Sequence, residues 1–366
     1  MEYRKLPHGE EEISIIGLGT SVVGEKGEKN IIDTVSYAID GGINYIDLAG
    51  GHANIFAGIG KAIEGRRSKV MFQLHFGADY TSGEYAWNLT LDGVKKSVAW
   101  QLDNLKTDYI DFGFMHCLDE EADLQIYEER GILEYLLDLK KQGVVRHLGL
   151  STHAPAIANQ VLDRKLIDML MFSLNPMYDY EQGEFAFGQS KERYQLYTRC
   201  EKEGVGISVM KPFNAGLLLD ARKSPFKIAL TPAQCIQYAL DRPGVLTVLQ
   251  GPADLVELKN NLAFLNTTPE ERDYSVIGTC TPAATQGICV YCKHCHPCPV
   301  GLDIGLINKY YDLALLGDTL AAQHYQTLAK KADLCISCGH CNSRCPFKVD
   351  QMARMSEINS YFQGRK

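Results

Sequence analysis

The chain has 366 residues, 45% of them apolar, and a formal net charge of −8 at pH 7. That length exceeds one ordinary domain and falls short of three, and the acidic balance argues against a nucleic-acid or anionic-membrane partner. No run of 18 or more apolar residues is present, and the opening MEYRKLPHGEEEIS has no apolar signal-peptide core, so a cytoplasmic protein without a membrane span is expected.

The first 270 residues or so alternate between two patterns. Short apolar runs with strand character come in the order ISIIGLGT, INYIDLA, KVMFQLHFG, YIDFGFMHC, VVRHLGLS, IDMLMFSLN, VGISVMKP and VLTVLQG. Between them lie amphipathic helical stretches such as EKNIIDTVSYAIDGG, TLDGVKKSVAWQLDNL and YEERGILEYLLDLKKQG, several ending in the glycine expected at a helix C-terminus. After the last strand, PADLVELKNNLAFL is again helical. Eight strand–helix units in about 250 residues predict a closed (β/α)8 TIM barrel, an α/β fold, over 1–270. The polar, turn-rich NTTPEERDYSVIGTCTPAAT reads as a linker. A small α-helical and loop domain over 275–366 follows, with a helical segment between two cysteine runs.

Catalytic groups of such a barrel gather at the C-terminal ends of its strands. Asp47, His75, His116 and Ser151 stand at such ends. Histidines beside a carboxylate at such strand ends suit either acid–base chemistry or a metal-ligand set.

Eight of the twelve cysteines form two tight runs, each ending in Cys-Pro. They are Cys289, Cys292, Cys295 and Cys298, then Cys335, Cys338, Cys341 and Cys345. Three cysteines at i, i+3 and i+6 wrap a loop around one corner of a cube. Structural zinc prefers separated Cys pairs, and a disulfide framework needs an oxidising compartment; both fit poorly. Of the four cysteines outside the runs, Cys200, Cys235 and Cys280 read as buried thiols, and Cys117 follows His116 directly. The two runs resemble the bacterial two-cluster ferredoxin, in which the fourth Cys of each run ligates the other cluster. The resemblance implies one [4Fe–4S] cluster on Cys289, Cys292, Cys295 and Cys345, and a second on Cys335, Cys338, Cys341 and Cys298. The first run departs slightly, with two residues rather than three before its last Cys.

YRKLP, GLGT, GINYIDLA, LDNLKTDYIDFGFMH, GVVRHLGLSTH, GVGISVMKP and LQGPADLVELKNNL make residues 1–266 resemble the aldo/keto reductase family. With the cysteine domain, the whole chain resembles its ferredoxin-fused branch. That family uses an Asp, Tyr, Lys and His tetrad, in which Tyr protonates a carbonyl oxygen while NAD(P)H delivers hydride. Asp47 and His116 match; His52 stands at the Tyr position and His75 at the Lys position. An imidazolium at position 52 is a general acid that needs no lysine. The resemblance also implies NAD(P) contacts from Thr20, Ser21, Ser151, Thr152, Asn175, Lys211, Gly251 and Asn261. The last segment lacks the Arg that clamps a 2′-phosphate, so NADP preference is not supported.

Hydride carries two electrons and each cluster one. A flavin in the barrel is therefore open as an alternative cofactor, although Gly17–Gly19 is too weak a fingerprint to support one. Three functions follow: an oxidoreductase acting on a small carbonyl- or hydroxyl-bearing substrate; a flavin- or ferredoxin-linked reductase taking single electrons from a ferredoxin or flavoprotein donor; and a non-catalytic electron-transfer or redox-sensing protein.

Overall fold

The computed structural model describes residues 1–181, 185–280, 287–315, 317 and 319–364. Contacts divide the chain into two compact units. The first holds Met1–Leu174, Gly204–Pro212 and Val245–Thr267, and the second Asn175–Glu203, Phe213–Gly244 and Thr268–Lys366.

Among the described residues, the first unit contains all the strands. An antiparallel hairpin, β1 (Tyr3–Lys5) and β2 (Glu12–Ser14), precedes β3 (Ile16–Gly19), β4 (Tyr45–Asp47) and β5 (Met71–Phe76). A second small hairpin, β6 (Ala78–Asp79) and β7 (Ala86–Trp87), comes next. It is followed by β8 (Ile110–Met115), β9 (Val145–Thr152), β10 (Met169–Ser173), β11 (Gly206–Met210) and β12 (Val245–Gln250). Eight of these strands close a parallel barrel in the order β10–β11–β12–β3–β4–β5–β8–β9. The apolar runs β8 and β12 are buried at every position, as strands covered on both faces must be. Leu6 and Ile13 of the first hairpin share one buried cluster with Tyr45, Phe112, Phe114, Met169 and Leu249. Gly17 belongs to this packing: a Cβ there would lie 2.8 Å from Leu249 Cδ2 and 2.9 Å from Thr247 Oγ1. Its glycine is explained by the contact of β3 with β12 and needs no nucleotide.

Two sequence expectations change in detail. The first apolar run divides, its start pairing with Tyr3–Lys5 and only Ile16–Gly19 entering the barrel. The helix expected over 127–143 is two helices, Glu121–Glu129 and Ile132–Lys141, because Gly131 between them takes a left-handed φ of 72°.

The second unit contains the helices Ser190–Glu203 and Pro232–Leu240, which follow β10 and β11 in the chain, and the C-terminal region. That region adds Ile304–Leu315, Thr319–Thr327, His340–Arg344 and Gln351–Gln363. Ile304, Ile307, Tyr311, Met355, Ile358 and Phe362 form its apolar core, together with Cys295 and Cys341. Polar contacts fix the cysteine loops to the earlier helices: Tyr194 Oη donates to Asp312 at 3.1 Å, Lys309 Nζ lies 2.9 Å from Glu201, and Arg242 Nη2 donates to the Val290 carbonyl at 2.5 Å. Cys200 and Cys235 are buried thiols; the side chain of Cys280 and linker residues 281–286 lie outside the described residues. Among the described residues no helix is long and apolar enough to cross a membrane.

Candidate active site and cysteine cavities

At the strand ends of the barrel, Asp47, His75 and His116 form a continuous hydrogen-bonded line. Asp47 ends β4, His75 lies in β5, and His116 follows β8. His75 Nε2 is 2.7 Å from Asp47 Oδ1, and His75 Nδ1 is 3.0 Å from His116 Nδ1. All three are deeply buried, at 4%, 1% and 6% exposure for Asp47, His75 and His116. Gln73, one strand period before His75, also donates to Asp47 Oδ1 at 2.9 Å. Burial and the neighbouring His75 hold the His116 pKa well below the usual histidine range, so its imidazole is neutral.

The line does not end at His116. Tyr85 Oη lies 2.8 Å from His116 Nε2, although the residue is 44% exposed. Tyr85 sits at the base of the β6–β7 hairpin, within the connection over 77–90 between β5 and the helix Leu91–Leu105. Tyr80 anchors that connection by donating to the Gly50 carbonyl at 2.9 Å. Asp79 braces it by accepting from the Thr81 N–H at 3.0 Å and from Asn88 Nδ2 at 3.0 Å. Sequence reasoning missed Tyr85. The available signal was the length of the connection, well beyond the usual two to six residues of a βα loop and typical of functional loops. His52, in contrast, stands outside the line: its side chain is 42% exposed, its Nδ1 is 3.8 Å from Glu84, and its backbone bridges to Glu84.

The expected cofactor residues take several places. Thr20 Oγ1 donates to the Asp47 carbonyl at 2.8 Å, and the Ser21 carbonyl accepts from the Gly51 N–H at 3.1 Å. A Cβ on Gly251 would lie 3.2 Å from Ser21 Oγ, so these two share one corner. Ser151 is buried at the end of β9, and Thr152 Oγ1 donates to Asp119 at 2.9 Å. Lys211 follows β11 with φ 57°, and its ammonium is near enough to Cys117 to oppose the burial that pushes that thiol up to about 11. Asn261 lies in the helix Leu255–Leu262. Asn175 belongs to the second unit, where its Oδ1 caps the turn Pro176–Asp179. Asp254 caps Leu255–Leu262 through the N–H groups of Val256 and Glu257, and Lys26 pairs with it. A carboxylate thus already occupies that helix N-terminus.

Among the described residues, the group with single-ion ligand spacing is not the histidine line but Cys117, Asp119 and His153. Asp119 is already engaged there, accepting from Thr152 Oγ1, the His153 N–H and His153 Nδ1. The arrangement closes the loop after β9.

The cysteines of the second unit line two cavities. Cys289, Cys292, Cys295 and Cys345 surround one, with Tyr291, Gln351 and Phe347. Cys298, Cys335, Cys338 and Cys341 surround the other, with Ile304, Met352 and Met355. The last cysteine of each run therefore faces the other run's triplet. Burial, with added repulsion from Cys289 and Cys345, pushes the Cys292 thiol up to about 12. Gln351 Nε2 donates to Cys289 Sγ at 3.7 Å and the Val349 N–H to Cys345 Sγ at 3.4 Å.

An aldo/keto reductase family profile matches residues 15–231. The chain belongs to the aldo/keto reductase family. A second profile, for a 4Fe-4S dicluster domain, matches residues 286–349. An uncharacterized oxidoreductase of Bacillus subtilis, YqkF, is 25% identical over 293 residues, 73% of this chain and 92% of that protein. The L-galactose dehydrogenase of Arabidopsis thaliana is 26% identical over 299 residues, 72% of this chain and 88% of that enzyme. The holo form of the aldo-keto reductase AKR11C1 from Bacillus halodurans has a TM-score of 0.61 at 23% identity, covering 77% of this chain and 97% of its own. An aldo-keto reductase from Klebsiella pneumoniae in complex with NADPH has a TM-score of 0.54 at 18% identity, covering 73% of this chain and 91% of its own. The fold is the family's barrel, and the chain is an oxidoreductase carrying a dicluster domain.

Proposed function

We propose that this aldo/keto reductase interconverts a small carbonyl and its alcohol in the cytoplasm, with Asp47, His75 and His116 as its polar centre. The observation that carries the reading is the buried hydrogen-bonded line at the strand ends, since a barrel that merely docked a partner would need no such line. Two buried imidazoles beside a carboxylate can hold and move a proton. A nicotinamide cofactor would supply the hydride when bound; Thr20, Ser21, Ser151, Thr152, Lys211, Gly251 and Asn261 are the residues of the barrel unit proposed to hold it. His52 is read as a support for the hairpin through Glu84. Testing the reading requires turnover of a panel of carbonyls and alcohols with NADH and NADPH, and its loss in Asp47→Ala.

The same cofactor reading predicts that NADH binds at least as tightly as NADPH. Asp254 places a carboxylate at the helix N-terminus of the expected adenosine segment, and its neighbour Lys26 is already paired with it. A 2′-phosphate would meet that negative charge without an arginine to offset it. Fluorescence titration of both nucleotides checks this, and tenfold tighter NADPH binding would refute it.

The two cavities are proposed to hold two [4Fe–4S] clusters, with the domain boundary between 270 and 275. Among the described residues, no three sulfurs of either set lie within 4.8 Å of one another. Four thiolates on one zinc, at 2.3 Å each, would sit about 3.8 Å apart. The wider spacing suits a body larger than one ion. Anaerobically purified protein is expected to carry about eight iron and eight acid-labile sulfides per chain; stoichiometric zinc with little iron would refute the assignment. Cys338 is exposed, which favours, as a second reading, a flavin- or ferredoxin-linked reductase that takes single electrons from an external donor. A flavin absorbance in the same preparation decides for it.

A further inference from the structure

Deepening the carbonyl reading above, and resting on it, we propose that Tyr85 delivers the proton to the substrate oxygen and that His116 and His75 refill it from the Asp47 end. Four neighbours in a row carry this: Tyr85 Oη to His116 Nε2 at 2.8 Å, His116 Nδ1 to His75 Nδ1 at 3.0 Å, and His75 Nε2 to Asp47 Oδ1 at 2.7 Å. Each imidazole uses both nitrogens within the line, which is the requirement for passing a proton through a ring. The outer end is Tyr85, a residue 44% exposed, and the inner three groups are buried. A substrate arriving from solvent therefore meets Tyr85 first. The residue at the family's tyrosine position, His52, faces Glu84 instead.

A hydride donor of the nicotinamide class places its hydride on the carbonyl carbon and is oxidised, and the C=O π pair moves onto oxygen. The Tyr85 O–H bond breaks as the new alcohol O–H bond forms. Tyr85 oxygen takes the proton from His116 Nε2, and His116 Nδ1 takes the proton from His75 Nδ1. His75 gives up its Nδ1 proton while its Nε2 stays against Asp47 Oδ1, and between turnovers the line is reloaded from solvent through Tyr85, its exposed member. One hydride and one proton have been added to the carbonyl, and Tyr85 again carries its proton. Alcohol oxidation runs the same line outward to inward.

The surroundings agree with these roles. Burial, then the nearby Cys117, raises the Tyr85 pKa, so the phenol keeps its proton until substrate charge develops. Burial and His75 keep His116 neutral against the opposing pull of Asp119, with His153 adding to the depression.

The test uses the full-length, cluster-loaded chain, with 4-nitrobenzaldehyde and either NADH or NADPH as probes. Tyr85→Phe is expected to lower kcat by about 100-fold or more with KM little changed, the range of a lost general acid. A readout independent of turnover is the nitrogen-15 NMR of the histidines. Tyr85→Phe should shift the His116 Nε2 resonance and, through the shared proton, the His75 resonances too. Wild-type turnover in Tyr85→Phe would overturn the delivery step while leaving the carbonyl reading intact. No reduction by the wild type would overturn the carbonyl reading and the delivery step together, and unmoved His75 resonances would overturn the relay itself.

Discussion

Cys345→Ser is expected to remove one cluster and spare the other, and the one it removes should be that of the distant run. Cys345 lies among the last residues of the second cysteine run, yet it lines a cavity with Cys289, Cys292 and Cys295. Cys298 makes the reciprocal exchange, lining the cavity of Cys335, Cys338 and Cys341. The crossed partition has a cause in the local fold. The turn Cys345-Pro346-Phe347 pairs back toward the first run, the Phe347 carbonyl accepting from the Gly287 N–H at 2.8 Å. A Cβ on Gly278 would lie 2.3 Å from Pro346 Cβ, so the linker also closes on this turn. Iron and sulfide should each fall from about eight to about four per chain. The electron paramagnetic resonance signal lost from the reduced protein should be the one lost in Cys292→Ser, and Cys298→Ser should instead match Cys338→Ser. If Cys345→Ser matched Cys338→Ser, each run would hold its own cluster and the crossed assignment would fail. Because Cys295 and Cys341 are also part of the apolar core of this region, loss of either cluster should lower its resistance to denaturant.

The strands were legible because a covered parallel strand is an uninterrupted apolar run with helices to either side. All eight runs contribute a barrel strand, and polar residues at their ends, Asp47, His75 and His116, do converge. The C-terminal helix Gln351–Gln363 was less visible: its capping aspartate, Asp350, accepts from the Ala353 N–H, but it directly follows a cysteine run and has a weak apolar stripe. Tyr85 was hidden for a different reason. Its role depends on a hairpin of two-residue strands, Ala78 opposite Trp87 and Asp79 opposite Ala86, too short for any periodicity to show. A residue placed by a loop at right angles to the strand pattern is found by contact, not by position. His52 shows the converse: a position inherited from a family pattern, occupied by suitable chemistry, whose side chain is turned to Glu84.

Asp179→Ala is expected to destabilise the second unit by about 3–5 kcal/mol, the cost of removing one partner from a buried ion pair. Asp179 Oδ1 accepts from Arg193 Nε at 3.0 Å and from Tyr197 Oη at 2.6 Å, and its Oδ2 accepts from Tyr238 Oη at 2.9 Å. Arg193 is fully buried, and Tyr197 and Tyr238 nearly so. Removing the carboxylate leaves a guanidinium and two phenol hydroxyls without that acceptor, and water has little room to replace it. The neighbouring cavity, lined by Asp179, Tyr194, Arg242 and Val290 among others, is only about 30 Å³, space for one or two waters at most. Asp179→Asn keeps the shape and one acceptor oxygen, so it should cost less than Ala, with the remaining loss reporting the charge. The consequence should reach the clusters, because Arg242, on the same cavity, holds the Val290 carbonyl between Cys289 and Cys292. Denaturant unfolding followed by cluster absorbance should therefore show an earlier midpoint for Asp179→Ala than for wild type. An unchanged midpoint would mean that the tyrosine and arginine groups find other partners, and that the network does not brace the cysteine loops.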